Sequence, residues 1–169
     1  MKTIYAKTIL YAYPSFNSLA KQIDELVERR ALSSMTDFSS CEKQCEKIID
    51  LTQCKDLIFS LKLNVEEVLK KFTKEEIEYF DYKFFRLKPR DYNWCFEPSS
   101  RAYFRKQIKL SELFAKRLDR VGVNDEFFEK NCLEIEFFKE LLKRTAEHEI
   151  ISKKNKPKKK LVFLMEKSA

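Results

Sequence analysis

The sequence predicts a mainly α-helical protein, and three observations carry that expectation. One glycine and four prolines in 169 residues leave few turn positions for hairpins, which need glycine at many of their tips. Hydrophobic residues make up 44% of the chain and recur over several stretches at three- and four-residue intervals, the period of a helix with one buried side. Fifteen phenylalanines supply bulk for a core, so one domain or a compact pair of helical units is expected at this length.

Residues 2–13, KTIYAKTILYAY, are rich in β-branched and aromatic side chains and read as a short strand or an apolar arm. Residues 161–165 have the same character, which leaves room for a short β pairing of the two ends. Ser15 or Asn17 caps a helix running to about Arg30, with Leu19, Ile23, Leu26 and Val27 on its inner side. Residues 31–40 lack a helical period and read as a connection. From Ser40 a second helix runs towards Phe72, but its apolar stripe drifts, which predicts a break near residues 62–64.

Thr73 and Glu76 have the spacing of a capping box and open a helix to about Arg86, with Ile77, Phe80, Tyr82, Phe84 and Phe85 at its apolar positions. Pro89 and Pro98 bracket a short aromatic element that holds Trp94. Ser99 and Ser100 cap the next helix and Gly122 supplies its left-handed end. Asn124 caps a short segment, and the apolar positions between 133 and 142 mark a final helix. From Ser152 the sequence changes to KKNKPKKK, which has too few apolar groups to fold. These boundaries divide the chain into residues 1–71, 72–122, 123–151 and 152–169.

A net charge of +7 favours an acidic partner, with nucleic acid first and a membrane surface second. No secretory leader is evident, because Lys7 and Thr8 interrupt the first apolar stretch, and no run approaches the roughly 18 apolar residues of a membrane span. Five cysteines, an odd number without framework spacing, read as reduced thiols of a cytoplasmic protein. Cys41 and Cys45 lie one helical turn apart, but with His148 as the single histidine the set is too small for a zinc site, so no metal is expected. There is no glycine-rich phosphate loop and no nucleophile elbow, so neither a catalytic set nor a cofactor site can be assembled.

The strongest functional signal is residues 99–121, SSRAYFRKQIKLSELFAKRLDRV. Tyr103, Ile108, Leu110, Phe114, Ala115, Leu118 and Val121 recur at helical spacing and are expected to face a core. Arg101, Arg105, Lys106, Lys109, Lys116, Arg117 and Arg120 are opposed by Glu112 and Asp119 alone. Such a helix is either a solvated face or a DNA reader, because phosphates reward the cations and base edges sit within reach of the helix start. Arginine can bond guanine bidentately and lysine more often grips phosphate, so Arg101 and Arg105 are the candidates for base contact. Tyr103 and Phe104 are expected in the core rather than in readout.

A capped helix ending in an aromatic pair, a short linking element, and a Ser-opened basic helix follow one another in the order of a helix-turn-helix unit. FTKEEIEYFDYKFF resembles the first part of the region-4-type domain of bacterial sigma-70 factors. Phe84 and Phe85 match that family's aromatic pair, Ser99 or Ser100 its opening serine, and Tyr103 the apolar seat of its recognition helix. Lys106 and Lys109 fall where the family carries basic residues. The likeness covers about residues 72–121. It departs from the family at Arg86 and Leu87, at Asp91–Tyr92–Asn93, and at Pro98 directly before the basic helix.

This resemblance implies a small regulator of the phage or mobile-element type that binds double-stranded DNA, with RNA polymerase as a candidate second partner. The expected DNA contacts are Ser100, Arg101, Arg105, Lys106, Lys109 and Lys116. A phosphate-binding tail of Lys153, Lys154, Lys156, Lys158, Lys159 and Lys160 is expected to add affinity without sequence choice. The alternative is a helical protein-interaction or scaffold module whose basic face binds an acidic protein. Oligomeric state is left open.

Overall fold

Helix boundaries in this chain mostly lie where the sequence offers a capping group. The computed structural model describes residues 1–33, 41–85 and 100–154, with the backbone alone for 151–154. The described chain forms α1 (Thr3–Ala12), a 3-10 turn (Tyr13–Ser15), α2 (Phe16–Ser33), α3 (Cys41–Leu69), and α4 (Lys74–Phe80) with a π-helical extension (Asp81–Phe85). There follow α5 (Arg101–Arg120), a short α6 (Asp125–Phe127), a π-helical turn (Phe128–Cys132) and α7 (Glu136–Lys154). No strand occurs among the described residues, and the fold is all-α.

The capping box at α4 is complete: Glu76 N–H donates to Thr73 Oγ1 at 3.3 Å, and Thr73 N–H donates to Glu76 Oε2 at 3.0 Å. Asn124 Oδ1 accepts from Phe127 N–H at 2.8 Å and opens α6. Both termini of α5 also follow their sequence signals, as set out below.

Two sequence expectations are corrected. Residues 2–13 form helix α1 and not a strand, so the proposed β pairing of the ends loses one of its two partners; residues 161–165 lie outside the described residues. Ala6, Thr8, Ile9, Leu10 and Ala12 are all buried. Around a helix these positions point in several directions, because α1 is enclosed by α5, α7 and the π-helical extension of α4. An enclosed helix has no amphipathic period to advertise it. The second correction is α3, which runs through residues 62–64 without a break. Its stripe drifts because its neighbours change: it lies against α2, and just past its end Lys71 and Phe72 meet α5.

One continuous cluster of buried side chains draws on residues from each of the segments 1–71, 72–122 and 123–151. On one side Tyr5 stacks on Phe128 with ring centroids 4.4 Å apart, and Phe138 meets both Phe128 and Phe16 at 6.2 Å. On the other, Phe80 packs against Phe72, Phe84 and Phe114 at 5.1, 6.1 and 5.8 Å. Buried hydroxyls are satisfied within their own helices, since Thr8, Ser111 and Thr145 each donate to the carbonyl four residues earlier.

Polar contacts hold the start of the chain to its later helices. The Met1 amine pairs with Asp119 at 3.1 Å, and Lys7 on α1 pairs with Glu149 on α7. Glu129 accepts from Lys2 Nζ at 2.9 Å and from the Tyr5 hydroxyl at 2.8 Å, and these bonds hold its carboxyl below the usual carboxylate range.

Candidate nucleic-acid interface

α5 is fixed at both ends by local chemistry and along one side by burial. Ser100 has extended backbone angles (φ −72°, ψ 153°), and its hydroxyl accepts from Tyr103 N–H at 3.2 Å, so it is the N-cap. Ser99 lies outside the described residues. At the far end Gly122 N–H donates to Asp119 O and Val123 N–H donates to Leu118 O, while Gly122 takes φ +89°. That pair of bonds is a Schellman motif, completed by apolar contact between buried Val123 and buried Leu118. Between the caps Tyr103, Leu110, Ser111, Phe114, Ala115 and Leu118 are buried. Tyr103 stacks on Tyr79 at 5.5 Å, and burial pushes its hydroxyl up to about 12.

The opposite face carries charge. Arg101, Arg105, Lys109, Lys116 and Arg120 are all exposed and fall within about 100° of arc at 3.6 residues per turn. They form a row about 28 Å long at 1.5 Å per residue. Among the described residues none of the five makes an ion pair. Elsewhere cations are matched within their own helix, as in Arg29–Glu25, Lys71–Glu67, Lys139–Glu136 and Arg144–Glu140. The acids of α5 do not neutralise the row: Glu112 stands exposed within it, and Asp119 is taken by the Met1 amine.

Lys106 and Arg117 behave differently. Lys106 is half-buried, with Nζ 5.3 Å from the centroid of the Tyr79 ring. Arg117 lies 4.1 Å over Phe72 and donates through Nη1 to Lys71 O at 2.8 Å. Both clamp α5 to the preceding elements. The structure therefore brings Ser100, Arg101, Arg105, Lys109 and Lys116 onto one helix in the expected roles of cap and exposed cations, and turns Lys106 to the edge. Arg120 joins the row; its place on the helical wheel was available in the sequence. Lys153 and Lys154 end α7, with side chains outside the description, and Lys156, Lys158, Lys159 and Lys160 lie outside the described residues, as does Trp94.

Two expected core residues are on the surface. Phe104 and Ile108 are each 51% exposed. Beside the row, between α4 and α5, an open groove of about 370 Å³ is lined by Glu76, Arg105, Lys106, Lys109, Leu110 and Leu113.

No family model, curated protein or solved structure matches this chain.

Other chemistry is sparse among the described residues. No group of three or more His, Cys, Asp or Glu side chains could hold a metal ion, and no helix is long and apolar enough to cross a membrane. Cys41 and Cys45 are exposed free thiols, and a hydrogen bond with Cys41 raises the Cys45 thiol. Cys132 is buried, which pushes its thiol up to about 12.

Proposed function

We propose that this chain is a non-enzymatic, cytoplasmic DNA-binding regulator that lays the exposed face of α5 in the major groove of double-stranded DNA. The observation that carries the proposal is the row Arg101, Arg105, Lys109, Lys116 and Arg120, unpaired on a helix whose other side is locked into the core. A soluble helix gains a little stability by pairing such charges, and the other helices do so. The row also places Arg101 in the first turn, at the positive end of the helix dipole, where no acid is present. Local stability argues against that choice, and an anionic partner explains it.

In this mechanism Arg101 and Arg105 reach base edges near the helix start, while Lys109, Lys116 and Arg120 meet phosphates. The tail lysines Lys153–Lys160 add phosphate contacts without sequence choice. The sigma-region-4-like order of elements assigns α5 the part of a recognition helix, with RNA polymerase as a candidate second partner. A salt-titrated binding assay with random-sequence duplex DNA tests the proposal. Affinity should fall steeply with salt, by a slope of about 0.9 for each phosphate contact. Absence of binding at low salt would sink it.

The groove between α4 and α5 supports a second reading. Its floor of Leu110 and Leu113 under the cations Arg105, Lys106 and Lys109 suits an acidic peptide with apolar side chains. Duplex DNA has no apolar group that would fill such a floor, so competition between DNA and an acidic-apolar peptide separates the two.

A further inference from the structure

The proposed DNA face contains two large apolar side chains that phosphates cannot use. Phe104 and Ile108 are each 51% exposed and stand one helical turn apart. At 100° per residue both lie within about 60° of Arg101, and Ile108 falls almost in line with it. They are therefore interleaved with the cations Arg101, Arg105 and Lys109 and do not form a separate patch. The Phe104 ring is also held in place: it meets the buried Tyr103 ring edge-on at 5.4 Å, and Tyr103 in turn stacks on Tyr79. A half-exposed ring braced in this way is preorganised for contact.

Resting on the DNA-binding proposal, we infer that Phe104 and Ile108 read the C5-methyl groups of thymine. The major-groove edges of guanine, cytosine and adenine present hydrogen-bonding atoms, and thymine adds a methyl, the apolar group on the floor of that groove. A cytosine amine or guanine carbonyl placed against Phe104 would lose water and gain no partner. A thymine methyl there removes apolar surface from water on both sides. The two side chains are about 6 Å apart along the helix axis, close to two base steps of 3.4 Å. The preferred sites should carry two thymines about two steps apart.

The test uses the full chain and a 24-base-pair duplex of alternating A and T, against the same duplex with deoxyuridine for every thymidine. Uracil keeps the pairing and the phosphates and lacks the methyl. Burying one methyl is expected to favour the thymine duplex about fourfold, and two about 15-fold. Phe104→Ala combined with Ile108→Ala should bring that ratio to about one and leave the uracil-duplex affinity and the salt slope unchanged. Ile108→Ala alone, which touches no ring contact, should remove part of the preference even if Phe104→Ala disturbs folding. Equal wild-type binding to both duplexes overturns the thymine inference and leaves DNA binding intact. Failure to bind either duplex at low salt overturns both. A shift from oligomer to monomer in the double variant overturns the inference in favour of contact between copies of the chain.

Discussion

Replacing Arg101 with Glu should stabilise the protein and disable the proposed DNA face together. Arg101 is the first residue of α5 after the Ser100 cap, exposed, with no acid in that turn. A carboxylate there meets the positive end of the helix dipole, which is worth about 0.3–1 kcal/mol. It also stands four residues before Arg105, in the favourable Glu-first order, for about 0.3–0.5 kcal/mol. The sum is about 0.6–1.5 kcal/mol, or a rise in Tm of roughly 1–6 °C for a chain of this size. Binding should move the other way, because one cation is removed and a second is engaged by the new carboxylate. The salt slope should fall by about 1.8, two contacts at about 0.9 each. Thermal melts and a fluorescence-anisotropy titration at several salt concentrations on one preparation read both effects. A loss of affinity that accompanies a higher Tm cannot be blamed on unfolding. If affinity and slope match the parent, the start of α5 is not the binding surface; if the Tm drops by several degrees, the cap at Ser100 is misplaced.

Phe114→Ala should cost about 3–5 kcal/mol in a urea titration, because Phe114 is fully buried between Phe72 and Phe80; a cost under about 1 kcal/mol would contradict that packing. Stability should also decline at alkaline pH. Burial raises Tyr103 from 10.0 and Cys132 from 9.0, each to about 12, so the unfolded chain ionises first. Their contributions are whole below the ordinary values and are lost as pH rises through about 12. Tyr103→Phe should flatten the decline above pH 10, measured by melts across that range. In neutral thiol-labelling followed by peptide mass spectrometry, Cys41 and Cys45 should react in the native protein and Cys132 only after denaturant is added.

Local signals were legible in the sequence and enclosed elements were not. Thr73 with Glu76, Ser100, Gly122 and Asn124 each marked a helix end that the structure keeps, because a cap is a hydrogen bond between near neighbours. The packing of Phe80 and Tyr103 against their expected neighbours also followed from helical spacing. α1 was read as a strand because an enclosed helix shows composition without period, and composition favoured β. Ile108 was placed in the core from its spacing and Phe104 from its residue type, yet both face outwards. On the wheel Ile108 lies beside Arg101, far from Phe114. Weighing angle above residue type would have moved it to the surface. That Lys106 and Arg117 rest on Tyr79 and Phe72 required knowing which rings lie beneath them, which depends on tertiary packing.

The enclosure of α1 also sets an order of events during synthesis. Residues 3–12 leave the ribosome first, yet the helices that cover them, α5 and α7, lie about a hundred residues further along, and the Lys7–Glu149 pair spans 142 positions. At about 5–20 residues per second that interval lasts roughly 5–20 s. Throughout it Ile9, Leu10 and their neighbours have no partner from the later helices to bury them. The α2–α3 pair can close locally in the meantime, since its contacts are near in sequence. The nascent chain thus carries an uncovered apolar helix beside an early-folding hairpin. Its final closure waits for the segment that brings the basic helix.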